Sequence, residues 1–131
     1  MKIERTIEVE TSPFKAYKVL SDPTNIPRYS PDIERVAITS ITPRLVGTRL
    51  TLHTHEHKEM QGEVIEAASG ESCAFKTDTG RLIRWTIQSR GKAVRLHNTI
   101  DTEEEIDEGL IGPELDRKLR ALRNNFQTNR L

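Results

Sequence analysis

Between Ile33 and Thr102 the chain is broken by Gly47, Gly70, Gly80 and Gly91, with short β-rich runs between them. A turn residue about every ten positions leaves room for little except consecutive antiparallel hairpins. With Lys58-Glu59 as a further turn, the spacing predicts strands over 33–42, 48–57, 60–68, 72–78, 81–89 and 92–102. A sheet of this kind has one apolar face to cover, and the chain offers one large cover. Behind Gly112-Pro113 runs P-E-L-D-R-K-L-R-A-L-R-N-N-F-Q-T-N-R-L, where Leu115, Leu119, Leu122 and Phe126 make a single helical stripe. Glu114 and Asp116 in its first turn, with Arg123 and Arg130 later, complement the helix dipole. An acidic run (Asp101, Glu103, Glu104, Glu105, Asp107, Glu108) precedes it.

Ahead of the hairpins, Lys2 to Val9 alternates with Ile3, Ile7 and Val9 on one face, which predicts a further strand. Ser12 is suited to an N-cap and Pro13 to the first helical position, where its missing N–H costs nothing. Phe14, Tyr17, Val19 and Leu20 supply a short helical stripe that Asp22-Pro23 ends, and Thr24 to Tyr29 makes one more helical turn. The expected fold is therefore α+β: a seven-stranded antiparallel sheet wrapped around a long C-terminal helix, with two short helices between strands 1 and 2. A chain of 131 residues suits one domain over 1–131.

Composition narrows the function classes. Lys plus Arg and Asp plus Glu both number 20, so no global field favours nucleic acid or anionic lipid. Arg117, Lys118, Arg120 and Arg123 read as a solvated helix face. The single cysteine, Cys73, excludes a disulfide framework and a multi-cysteine zinc site and reads as a small buried hydrophobe. No apolar run approaches the ~20 residues of a membrane span, Met1-Lys2-Ile3-Glu4 is not a signal peptide, and a reducing, cytoplasmic setting is expected.

Residues 7–36, I-E-V-E-T-S-P-F-K-A-Y-K-V-L-S-D-P-T-N-I-P-R-Y-S-P-D-I-E-R-V, follow the order apolar strand, small-Pro, helix, Asp, then Pro-x-aromatic-x-Pro and a strand. Pro27, Tyr29 and Pro31 fill the last pattern. Together with Val46-Gly47-Thr48 and Gly62-Glu63-Val64, this order resembles the START/Bet v 1-like (SRPBCC) superfamily with its helix-grip fold. Within it, the chain resembles the small polyketide cyclase/dehydrase-like proteins, with Tyr29 standing where Trp is usual. The similarity covers essentially the whole chain. It implies a curved sheet gripping the last helix and a cavity between them that commonly holds an apolar small molecule or lipid. It does not imply one chemistry, since carriers, hormone receptors, aromatase/cyclases and protein-binding modules share the fold.

Parity along each strand decides what faces that cavity. His53, His55 and His57 recur at every second position, about 7 Å apart on a strand, a spacing at which imidazoles can share a metal. Leu50 and Leu52 take the opposite parity with Thr54 and Glu56, so the histidines are expected on the wet face and no metal or cofactor is implied. A β-bulge between Leu52 and His55 would reverse this. Cys73, Phe75 and Thr77 share an inward face, as do Ile83, Trp85 and Ile87, Val94, Leu96, Asn98 and Ile100, and Met60, Gly62 and Val64. Asn98 stands out, because a buried amide needs a partner: either a ligand, or Thr77 or a backbone carbonyl. Arg5, between Ile3 and Ile7, either reaches an anionic head group in the cavity or pairs with a Glu at the strand end.

Binding or transport of a small hydrophobic molecule or lipid ranks first, with Ile26, Tyr29, Phe75, Trp85, Asn98, Leu115 and Leu119 as the expected lining. An aromatase/cyclase- or dehydrase-like enzyme ranks second, because Glu56 is the one carboxylate that parity places inward. A protein-interaction module, with a homodimer through sheet or helix, is the third reading.

Overall fold

Glycines in the left-handed region close three of the hairpins, Gly70, Gly80 and Gly91 having φ of 73°, 83° and 64°. The computed structural model describes residues 2–30, 32–102 and 108–127. The hairpins join β2 (Ile33–Ser40), β3 (Arg49–Thr54), β4 (Glu59–Ala68), β5 (Ser72–Thr77), β6 (Arg81–Arg90) and β7 (Ala93–Thr102) into one antiparallel sheet. β1 (Lys2–Val9) pairs with β7, so the order is β1-β7-β6-β5-β4-β3-β2. β1 and β2 thus lie on opposite edges, and the segment joining them must cross the sheet. It does so as α1 (Pro13–Leu20), a 3-10 turn (Pro23–Asn25) and α2 (Ile26–Tyr29). Ser12 Oγ caps α1 by accepting from the Lys15 amide at 3.1 Å, and Asp22 Oδ1 accepts from the Thr24 amide at 3.0 Å.

α3 (Glu108–Gln127) lies across the concave side against β1 and α2, with the Asn125 amide nitrogen donating to the Arg28 carbonyl at 2.7 Å. Its stripe is buried as the spacing requires: Leu115, Leu119, Leu122 and Phe126 are all in the core. Leu119, Leu122 and Phe126 share a core cluster with Tyr29, Leu50, Phe75, Trp85, Val94 and Leu96, while Leu115 packs with Ile3 and Ile100. Extra residues on β2 (at Ile33/Arg35 and Ile38/Ser40) and on β4 (at Val64/Glu66) interrupt the register, as bulges that bend a sheet do. The Gly47 amide donates to the Val64 carbonyl at 2.7 Å and the Val64 amide to the Thr48 carbonyl at 2.9 Å. Those bonds join Val46-Gly47-Thr48 to Gly62-Glu63-Val64, two stretches distant in sequence.

Three expectations need correction. β3 ends at Thr54 rather than 57, and the turn falls at His55–His57 instead of Lys58-Glu59. Thr54 closes that turn, its amide donating to the Lys58 carbonyl at 2.9 Å and its Oγ1 accepting from the Lys58 amide at 3.1 Å. His57 takes the left-handed conformation there, with φ of 63°. Second, α3 begins at Glu108 and runs through Pro113 rather than starting behind it. Proline keeps a helical φ, but inside a helix it removes the bond its own N–H would make and crowds the carbonyl four residues earlier. Gly112 has a packing role: a Cβ there would stand 2.9 Å from the Arg5 guanidinium. Third, Arg5 does not line the cavity, and its ion pair is with an Asp rather than a Glu. Its Nε donates to Asp116 Oδ1 at 2.9 Å, tying β1 to α3. Pro31, Glu103, Glu104, Glu105, Asp107 and Arg130 lie outside the described residues.

Candidate functional site

The grip leaves a cavity of about 180 Å³ between the sheet and the helices α2 and α3. Its sheet side is mostly apolar, with Leu50 and Leu52 from β3, Gly62 from β4, Phe75 from β5, Ile83 and Trp85 from β6, and Ile100 from β7; Thr54, Thr77 and Arg81 add polar groups at strand ends. Gly62 keeps the middle of that wall open, because a Cβ there would lie 3.3 Å from Leu52 and 3.4 Å from Leu50. Ile26 and Tyr29 of α2 and Leu115 of α3 close the opposite side. The Tyr29 ring stands edge-on to Trp85, centroids 6.2 Å apart and planes at 86°, a favoured aromatic geometry. Tyr29 is 1% exposed, and burial first, then Cys73 and Asp22, raises its phenol above the usual range.

Four ionisable side chains also line the cavity: Asp32, Arg81, Glu114 and Lys118. Asp32 is exposed and the other three are partly buried, so they mark the side that opens to water. Lys118 projects inward, its Nζ 5.5 Å from the Trp85 centroid and 6.0 Å from that of Tyr29, within cation–π range. Burial lowers its pKa to about 8; Glu114, one turn earlier, opposes the shift and Arg81 adds to it. The Glu114 carboxyl is raised to about 7, mainly by its hydrogen bond with Asp32, then by burial and by the Asp32 charge; Arg81 and Arg117 pull the other way. Two carboxyls that share a site in this way hold a proton near neutral pH.

Of the residues expected to line a site, Ile26, Tyr29, Phe75, Trp85 and Leu115 surround this cavity, while Asn98 and Leu119 are buried away from it. The Asn98 amide nitrogen donates to the Arg84 carbonyl at 3.0 Å, and its Oδ1 meets no partner among the described residues. A backbone carbonyl, not Thr77, holds this side chain. Thr77 bonds instead to the Thr79 hydroxyl at 2.6 Å. Glu56 is not an inward carboxylate: it sits in the β3–β4 turn with 78% of its side chain exposed. Because β3 stops at Thr54, the three histidines share no face. His53 alone is on the strand, 3.5 Å from a Glu59 carboxylate oxygen. Among the described residues no three His, Cys, Asp or Glu side chains are grouped as metal ligands.

The polar rim is what reading the sequence missed. Lys118 follows Leu115 by three positions and precedes Leu122 by four, which places it on the buried side of α3 despite its charge. Arg81 shares the parity of Ile83 and Trp85. Those spacings stand in the sequence but do not decide where a charged end points; that Asp32 meets Glu114 leaves no trace there at all, since they lie 82 positions apart.

The fold is widely shared. A START superfamily protein from Mycobacterium smegmatis superposes with a TM-score of 0.79 at 19% identity, over 97% of each chain. A protein from Thermobifida fusca gives 0.80 at 14%, over 95% of this chain and 92% of its own. The Aha1 dimer from Colwellia psychrerythraea gives 0.74 at 12%, over 96% of each. No protein with a curated description matches the chain significantly. Among the described residues no helix is long and apolar enough to cross a membrane. The family described as polyketide cyclase / dehydrase and lipid transport matches residues 1–127, and the chain belongs to it.

Proposed function

We propose that this protein binds a small hydrophobic molecule in the cavity between the sheet and α3. The observation that carries the reading is the cavity itself: mostly apolar on its sheet side, charged where it opens, and held apart at Gly62. At about 180 Å³ it is close to the ~150 Å³ engineered cavity that accommodates benzene, and below the ~300 Å³ at which drug-sized sites begin. A body of one ring or a short branched chain fits that space, and a whole lipid does not. Burying the apolar surface of such a body supplies about 25 cal/mol per Å² before the costs of ordering. The family's description, polyketide cyclase / dehydrase and lipid transport, supports an apolar cargo, and the volume of this cavity narrows it to a small one.

The test is native mass spectrometry of freshly purified protein, with organic extraction of any adduct, followed by NMR titration with toluene. A bound apolar species, or saturable shifts at the Trp85 indole that vanish in Gly62→Val, is the expected result. An adduct-free mass together with no shift at millimolar toluene would overturn the reading.

One observation favours an acid–base enzyme as a second reading. A carboxyl whose pKa is raised to about 7 by a second carboxyl, at the mouth of an apolar cavity, is poised to give or take a proton. The Asp32–Glu114 pair then exchanges an acidic C–H of a carbonyl substrate. Deuterium incorporation into a simple cyclic ketone such as cyclohexanone, faster than the buffer rate and lost in Glu114→Gln, is the expected signature. Incorporation at the buffer rate would remove it.

A further inference from the structure

We propose that the molecule this cavity takes carries one anionic oxygen group, a carboxylate or an enolate, seated between Lys118 and Arg81 with its apolar body against Trp85 and Phe75. The inference rests on the binding reading above and names the ligand class for it. It starts from partner accounting. A buried or half-buried ammonium has three N–H donors to satisfy. Lys118 turns its charge toward two aromatic faces, and among the described residues neither it nor the Arg81 guanidinium forms an ion pair or donates a hydrogen bond. Both side chains line the same cavity; Arg81 acts on the Glu114 carboxyl, and Glu114 and Arg81 both act on the Lys118 ammonium.

Charge points the same way. At neutral pH the two cations face Asp32 and a Glu114 carboxyl that is about half protonated, so the rim is positive on balance. An incoming anionic oxygen can accept from Lys118, from Arg81 and from the protonated Glu114, which charge assistance makes stronger than neutral bonds. A cationic ligand would have to expel Lys118 from the Tyr29 and Trp85 faces that it already covers. A purely neutral ligand would leave the excess positive charge of the rim unmatched in a site it has just dried, a costly outcome.

Binding and protonation are then linked. The groups facing the Lys118 ammonium are Tyr29 from α2, Asp32 from the α2–β2 corner, Arg81 from β6 and Glu114 from α3 itself. An anion seated among them favours the charged lysine, so affinity should fall as pH rises through about 8, where the free ammonium loses its proton.

Benzoate, benzyl alcohol and toluene, nearly equal in shape, are titrated into the intact protein by NMR at pH 7 and again at pH 6 and 9.5. The expected result is benzoate at least tenfold tighter than benzyl alcohol. That preference should shrink at pH 9.5 and disappear in Lys118→Met, the variant's folding being checked by its urea midpoint. A cyclic 1,3-diketone, offered as its enolate, separates the two anion sources, and a preference for either supports the inference. Equal binding of benzoate and benzyl alcohol overturns it while leaving the apolar cavity reading intact. So does a preference that survives both Lys118→Met and Arg81→Gln. If toluene also fails to bind, both readings fall.

Discussion

Replacing Lys118 with Met should make the protein more stable at pH 7, although it removes a charge that touches two aromatic rings. Burial brings the ammonium from its usual 10.5 to about 8, so holding it protonated at neutral pH costs the folded state ~3 kcal/mol. Met has a similar length and no charge to desolvate. It forgoes the cation–π attraction to Trp85 and Tyr29, about 1 kcal/mol, which leaves a net gain of ~2 kcal/mol. The sign with pH follows from proton counts. Between about 8 and 10.5 the unfolded chain holds the Lys118 proton and the folded chain does not, so wild-type stability rises with pH across that window. The penalty is complete below about 8 and gone above 10.5. Urea unfolding of both proteins should therefore show the variant midpoint higher by about 1 M at pH 7, for an m-value near 2 kcal/mol per M. The gap should narrow markedly by pH 10. A gap that does not change with pH, or a variant less stable at pH 7, would falsify the placement of this ammonium.

Glu114 gives the opposite dependence. With its folded pKa raised from 4.5 to about 7, it favours folding below 4.5 and loses that contribution as pH rises toward 7; Glu114→Gln should flatten the melting temperature over that range, read by calorimetry at pH 4.5, 6 and 7.5. Gly62→Val puts its side chain into the cavity and against Leu50 and Leu52, so it should cost about 1–3 kcal/mol in urea unfolding while abolishing toluene binding; unchanged binding would mean the cavity lies elsewhere. Cys73 is fully buried and its thiol is pushed up to about 12 by burial and by Glu66, so it should resist a disulfide reagent at pH 8 until the protein unfolds. Rapid labelling of the native protein would contradict that burial.

Much of this molecule was legible from local rules. Alternation, turn glycines and a Ser-Pro helix start act within a few residues, so the strands, α1 and the buried stripe of Leu115, Leu119, Leu122 and Phe126 could be read directly. Inward parity likewise placed Phe75 and Trp85 on the cavity wall. Errors arose where a local rule met a competing local bond. Thr54 closes a turn with Lys58 and cuts the strand short, which removes both the histidine row and the inward Glu56. Only the tertiary structure decided the rim. Whether a lysine on the flank of an apolar stripe points to water or inward depends on what stands opposite. Here the Tyr29–Trp85 pair offers it a negative aromatic face. Whether a glutamate is ionised at neutral pH depends on a second carboxylate brought from elsewhere in the chain. Residue type sets the charge a side chain can carry; the surroundings that folding assembles set the free energy of carrying it.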